Sequence, residues 1–104
     1  MRLKEVGVAM MYLLFYDYVE NMAERRAPVR GQHLELANAS VGRGELVYGG
    51  AFTDPLDSGV LLFRTREAAE SFAANDPYVQ NELVTRWRVR EWNVVVGEGI
   101  APPA

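Results

Sequence analysis

A single histidine, His33, and a single Asp-Pro-Tyr step, Asp76-Pro77-Tyr78, are the residues of this chain best suited to moving a proton. An imidazole titrates near neutrality, with an ordinary pKa of about 6.5. A carboxylate bonded to one ring nitrogen fixes the tautomer and frees the other nitrogen to act as base or acid. Helical spacing sets His33 beside Leu34 and four positions after Val29, on the flank of an apolar face, where a ring is half sheltered. Arg30, three residues earlier, shares that side and favours the neutral imidazole. Asp76 falls four positions after Phe72, so helical geometry carried that far turns it inward, where a carboxylate needs a partner. Each residue also has a plainer explanation. His33 could pack on a sheet and bond only backbone groups. Asp76 before Pro77 has the form of a helix N-cap and first helical residue. Tyr78 could line a pocket beside Arg30 or simply fill space.

Other candidates carry less. Arg86, Arg88 and Arg90 alternate along one strand face, with Trp87 and Val89 on the other. They could form a cationic patch at a pocket mouth for an acidic substrate, or an ordinary solvated face. Tyr12, Tyr16 and Tyr18 share a strand face and could line a cavity or pack. With no cysteine and one histidine, the chain cannot supply a standard zinc site, a disulfide or a cysteine nucleophile. Ser40, Ser58 and Ser71 lack a nucleophile-elbow setting, and Gly42-Arg43-Gly44 lies in the wrong order for a dinucleotide fingerprint. Lys4, the only lysine, is a poor Schiff-base candidate so near a terminus. No residue set points to a cofactor.

The bounds are those of one small domain. The chain has 104 residues and 49% hydrophobic composition, so it can build a core but not two. Its net charge of -3 offers no electrostatic footprint for nucleic acid. The apolar run that follows Arg2 and Lys4 superficially resembles a targeting segment. It is too short to span a membrane and lacks a cleavage pattern, so a buried strand and no membrane partner are expected. The absence of cysteine fits a reducing compartment, and a cytoplasmic location is expected. Met10 and Met11 could each be a start, so residues 1–9 read as an extension, 10–96 as the domain and 97–104 as a loose tail.

The elements that must position the candidates follow from hydrophobic pattern. Residues 10–16 form an apolar strand, and 20–26 a short helix. A second helix begins at Pro28, with Leu34, Ala37 and Val41 as its apolar face and Gly42 and Gly44 as its stop. Residues 46–52 form a second strand, in which Gly49-Gly50 marks a bulge or a close ligand approach. A turn through Asp54-Pro55 leads to a third strand at 60–63. Thr65 caps a helix with the apolar face Ala68, Ala69, Phe72 and Ala73, which ends before Pro77. A short helical turn and a last strand, 84–96, complete the chain. The order β-α-β-β-α-β is the ferredoxin-like split βαβ of the α+β class, with a four-stranded antiparallel sheet. Two helices cover one face of such a sheet, yet the first three strands are apolar on both. A second copy of the chain is the simplest cover, so a homodimer is expected.

Here the chain resembles the YciI-like (YCII-related) proteins of the dimeric α+β barrel superfamily, over roughly residues 11–92. The resemblance rests on Arg30-Gly31-Gln32-His33-Leu34, on Gly49-Gly50, and on 72–79 with Asp76-Pro77-Tyr78. It implies a homodimer whose sheets face each other, a small-molecule pocket in each subunit, and a histidine–aspartate active pair matching His33 and Asp76. One characterised kind of member is a dehydrochlorinating lyase acting on chlorinated hydroxyhydroquinones. The expected function is a cofactor-independent lyase or isomerase acting on a small molecule. The alternative is a non-catalytic ligand-binding or accessory protein.

Overall fold

The computed structural model describes residues 9–100. In chain order it has β1 (Ala9–Tyr18), α1 (Met22–Arg25), α2 (Arg30–Gly42), β2 (Leu46–Ala51), β3 (Ser58–Phe63), α3 (Arg66–Asn75), α4 (Pro77–Gln80) and β4 (Val84–Val94). The sheet runs β2-β3-β1-β4 and every neighbouring pair is antiparallel. This is the expected ferredoxin-like α+β arrangement, with the two split halves interleaved. Of the expected extension and tail, residues 1–8 and 101–104 lie outside the described residues, while Ala9 already belongs to β1.

Strand alternation divides the sheet into two unlike faces. Leu14 pairs with Leu61 on one side and Val89 on the other, and Tyr12 pairs with Phe63. These residues face the helices. Leu14, Tyr16, Leu61 and Phe63 close the main core against Ala69, Phe72 and Ala73 of α3. Side chains one position out of phase, Leu13 and Phe15, pair with Leu62 and Val60, and with Arg90 and Arg88, on the face that carries no helix. Phe15 is roofed by the Arg88 guanidinium, 4.7 Å from its ring centre.

Capping chemistry sets the start of α3 but not that of α2. The Thr65 hydroxyl accepts the Ala68 N–H, as expected of an N-cap. Pro28 does not open α2. Val29 adopts φ -115° and ψ 0°, which interrupts the helix, so Pro28 stays in the preceding turn and Arg30 becomes the first residue. The apolar face expected on α2 is also corrected. Leu34 and Val41 are exposed, at 42% and 49%, while Leu36 and Ala37 pack on the core and Ser40 is the buried residue. The reason is that α2 stands off from β2, with Leu34, Ala37 and Val41 turned toward a cavity between them. The Gly49-Gly50 pair does not mark a bulge. The register shift lies earlier, between Leu46 and Tyr48, and Gly49 and Gly50 pair regularly with Leu61 and Val60.

Candidate active site

Asp76 is the junction of the site. It closes α3 and opens α4 in an extended conformation, φ -70° and ψ 124°, as a residue before proline prefers. That conformation turns its carboxylate back to accept the Tyr78 N–H at Oδ1, 3.0 Å away. Oδ1 also meets His33 Nδ1 at 2.8 Å, across from α2. Oδ2 accepts the Tyr16 hydroxyl at 2.8 Å, from the helix side of β1. The carboxylate is fully buried, and burying one without partners costs several kcal/mol, roughly 2–7 even for a neutral polar group. Three donors from three elements offset that cost.

An ionised carboxylate has only acceptors, so the His33 nitrogen that faces it carries the proton. In the neutral ring this leaves Nε2 with its lone pair, and among the described residues Nε2 has no hydrogen-bond partner. The ring lies flat on Tyr78, centroids 3.8 Å apart and planes 5° from parallel. Phe72 meets it edge to face at 6.1 Å. The His33 side chain keeps 13% of its surface exposed. It is therefore held in one orientation while one edge stays reachable.

The surrounding phenols are kept protonated. Burial, reinforced by the Asp76 charge, pushes the Tyr16 hydroxyl well above the usual phenol range. Burial and the neighbouring Tyr78 and Asp76 push Tyr18 up to about 12. Burial also raises Tyr78, against the opposing pull of Arg26 and Arg30. All three are hydrogen-bond donors at neutral pH, not bases.

The His33 ring lines the cavity between α2 and β2, about 360 Å³ in volume. Arg30, Tyr78, Tyr18 and Arg26 line it as well, with Gly49 and Gly50 on the strand side. A Cβ at Gly49 would press on the Leu61 side chain at 3.3 Å, while one at Gly50 would meet nothing and stand in open space. Glycine at Gly59 has a different cause. A Cβ there would collide with the Tyr18 hydroxyl, which is how Tyr18 lies across β3 and reaches the cavity. Among the described residues, no three His, Cys, Asp or Glu side chains gather as a metal site would require.

The structure thus brings His33, Asp76, Arg30 and Tyr78 to one place. It does not bring Arg86, Arg88 and Arg90 there. They pair with Asp17, Phe15 and Leu13 on the helix-free face and are exposed, as the solvated-face reading has it, and none of them lines the cavity. The three tyrosines of β1 part company. Tyr16 bonds Asp76, Tyr18 lines the cavity, and Tyr12 sits far along the strand beside Arg66 and Glu91. Arg26 was not legible as a pocket residue. It lies four positions before Arg30, but the turn between α1 and α2 breaks the helical spacing that would have linked them.

The sequence pattern of the YCII-related domain matches residues 10–93. The chain belongs to the YCII-related domain family. The matched span runs from β1 nearly to the end of β4, so the family's domain here includes the His33–Asp76 pair and the cavity. Solved structures share the fold at low identity. 5-Chloro-2-hydroxyhydroquinone dehydrochlorinase from Burkholderia phenoliruptrix AC1100, in complex with 2,5-dihydroxybenzoquinone, is 16% identical with a TM-score of 0.65, covering 79% of this chain and 92% of its own. A NIPSNAP family protein from Agrobacterium tumefaciens is 14% identical with a TM-score of 0.53, covering 89% and 96%. No curated protein matches the sequence. Among the described residues of this YCII-related chain, no helix is long and apolar enough to cross a membrane.

Proposed function

We propose that the protein is a cofactor-independent enzyme of lyase or isomerase type acting on a small molecule, with His33 as general base and acid and Asp76 orienting it. The observation that carries this reading is the 2.8 Å contact of His33 Nδ1 with Asp76, on a ring that lines a cavity of about 360 Å³. Nε2 accepts a proton from the bound molecule. In an isomerase it returns the proton to a different atom. In a lyase the electron pair left behind expels a leaving group. Asp76 stabilises the imidazolium while it lasts and keeps the proton on Nδ1 before and after. Arg30 and Tyr78 belong to the pocket wall, and Tyr78 is also the plane on which the imidazole rests. The fold likeness to a dehydrochlorinase holding a quinone is compatible with an elimination on this scaffold.

A homodimer belongs to the same reading. Leu13, Phe15, Val60 and Leu62 form an apolar field on the helix-free face, and Trp92 beside Met11 is 46% exposed. A second copy laid face to face by two-fold symmetry covers this field with its own equivalent. The absence of cysteine and the acidic net charge accord with a cytoplasmic protein that does not bind nucleic acid.

The competing reading is a non-catalytic ligand-binding or accessory protein, favoured by the small number of reactive groups beside His33. A screen of small metabolites with native protein and His33→Ala separates the two. Loss of turnover by about 10²–10⁴-fold, with ligand still bound, is the expected result. Turnover that survives the substitution intact would remove His33 from the mechanism.

A further inference from the structure

We propose that Arg26 and Arg30 form an anion clamp in the cavity, selecting a small substrate with a carboxylate or phenolate oxygen on an apolar body. This inference rests on reading the cavity as the substrate site, and it names the chemistry that the site takes.

The charge of the cavity is the reverse of the chain's. The protein carries 14 acidic against 11 basic residues, yet the cavity wall has two arginines and a histidine and no aspartate or glutamate. Among the described residues, neither arginine is engaged in a salt bridge. Arg30 stands where it opposes the helix. It is the first residue of α2, whose first turn has no acidic residue, and the helix dipole disfavours a cation at that end. A cation at that position is a local cost that a bound anion would reverse.

Arg26 and Arg30 line the same cavity as Tyr18 and Tyr78. Both arginines oppose the rise that burial causes in the two phenols, in keeping with that shared wall. Tyr78 is stacked on His33, which puts the clamp beside the proton carrier. Arg30 and His33 are three apart on one helix, with Cβ atoms about 5–6 Å from each other. An oxygen held by Arg30 therefore leaves the next atoms of the same molecule within reach of Nε2. The planar fork of arginine matches the two oxygens of a carboxylate. The remaining wall is mostly hydrocarbon, chiefly Leu34, Ala37, Val41, Leu46 and Leu61, with Asn38 and Tyr48 as further polar residues, and suits a ring or short chain better than a heavily hydrated body. The clamp also favours any enolate or phenolate that forms when His33 removes a proton.

The test is calorimetric titration of the full chain with benzoate, 4-nitrophenolate, benzamide and inorganic phosphate. Benzoate or 4-nitrophenolate is expected to bind at least about 10-fold more tightly than neutral benzamide, and less tightly as salt rises. Arg26→Gln and Arg30→Gln should each weaken the anion about 10-fold and narrow its advantage over benzamide. Arg30→Lys should recover part of the loss, and Arg90→Gln, on the other sheet face, should change nothing. His33→Ala should still bind the anion, so failure of the catalytic reading and failure of the clamp give different results. Equal binding of benzoate and benzamide, no binding of either anion, or anion binding unchanged in both glutamine variants would overturn the clamp. Preference for phosphate over both organic anions would overturn the assigned substrate class.

Discussion

Tyr78 lies parallel to the His33 imidazole at 3.8 Å, two residues along the chain from the carboxylate that bonds Nδ1. One short step, Asp76-Pro77-Tyr78, therefore supplies both the hydrogen bond that aims the ring and the plane it rests on. Proline makes this possible, because it keeps Asp76 extended and starts α4 at once. Tyr78→Phe should preserve the stack and cost little stability. Tyr78→Leu should cost about 1–3 kcal/mol in urea unfolding and lower kcat, because it frees the ring to rotate. Equal kcat in the two variants would mean that the stack does not position His33.

Asp76→Asn tests the carboxylate itself. Three donors converge on Asp76, and an amide offers one acceptor oxygen and an N–H₂ that must face another donor. Stability should fall by about 1–3 kcal/mol. Turnover should fall further, on the order of 10³-fold or more, since the amide can bond the wrong imidazole tautomer. Unfolding curves and rates on the same samples separate the two effects. A rate loss no larger than the stability loss accounts for would leave Asp76 with its capping role alone.

Alkaline pH should unfold the protein through its tyrosines. The Tyr16 and Tyr18 hydroxyls are raised from 10.0 in the folded state, Tyr18 to about 12. Above pH 10 the unfolded chain releases these protons and the native protein keeps them, so stability falls as pH rises. The contribution is complete below pH 10. It declines between 10 and about 12 for Tyr18, and to higher pH for Tyr16, by about 1.4 kcal/mol per pH unit while a group holds its proton only in the native state. Tyr16→Phe should be less stable at neutral pH, having lost its bond to Asp76, but less sensitive to alkali. Parallel pH dependences of Tm for the two proteins would contradict the buried-phenol account.

The helix-free face should hold a second subunit. Sedimentation at micromolar concentration is expected to give about twice the 11.7 kDa chain mass. Phe15→Glu, in the middle of that face between Val60 and Arg88, should produce monomer with the fold retained in circular dichroism. A native protein that sediments as monomer would leave the apolar face needing another cover.

Element order and ferredoxin-like class were legible in the sequence because they depend on local pattern: apolar runs in strands, the Thr65 cap, and proline after Asp76. The pairing of His33 with Asp76 was legible as an expectation, since periodicity turned both residues inward and few other groups could satisfy either. Tertiary structure decided what surrounds them. Tyr16 became the third donor to Asp76 because β1 packs against α3, whose end Asp76 closes, which no spacing along the chain encodes. Leu34 and Val41 read as core and instead line a cavity, because helical period reports which side of α2 is apolar, not how far it stands from the sheet. Arg26 joined Arg30, and Arg86, Arg88 and Arg90 were sent to the opposite face, through strand register and a turn between helices. Local spacing sets the face of an element on which a charge sits. Only the packing of elements against one another decides which charges share a pocket.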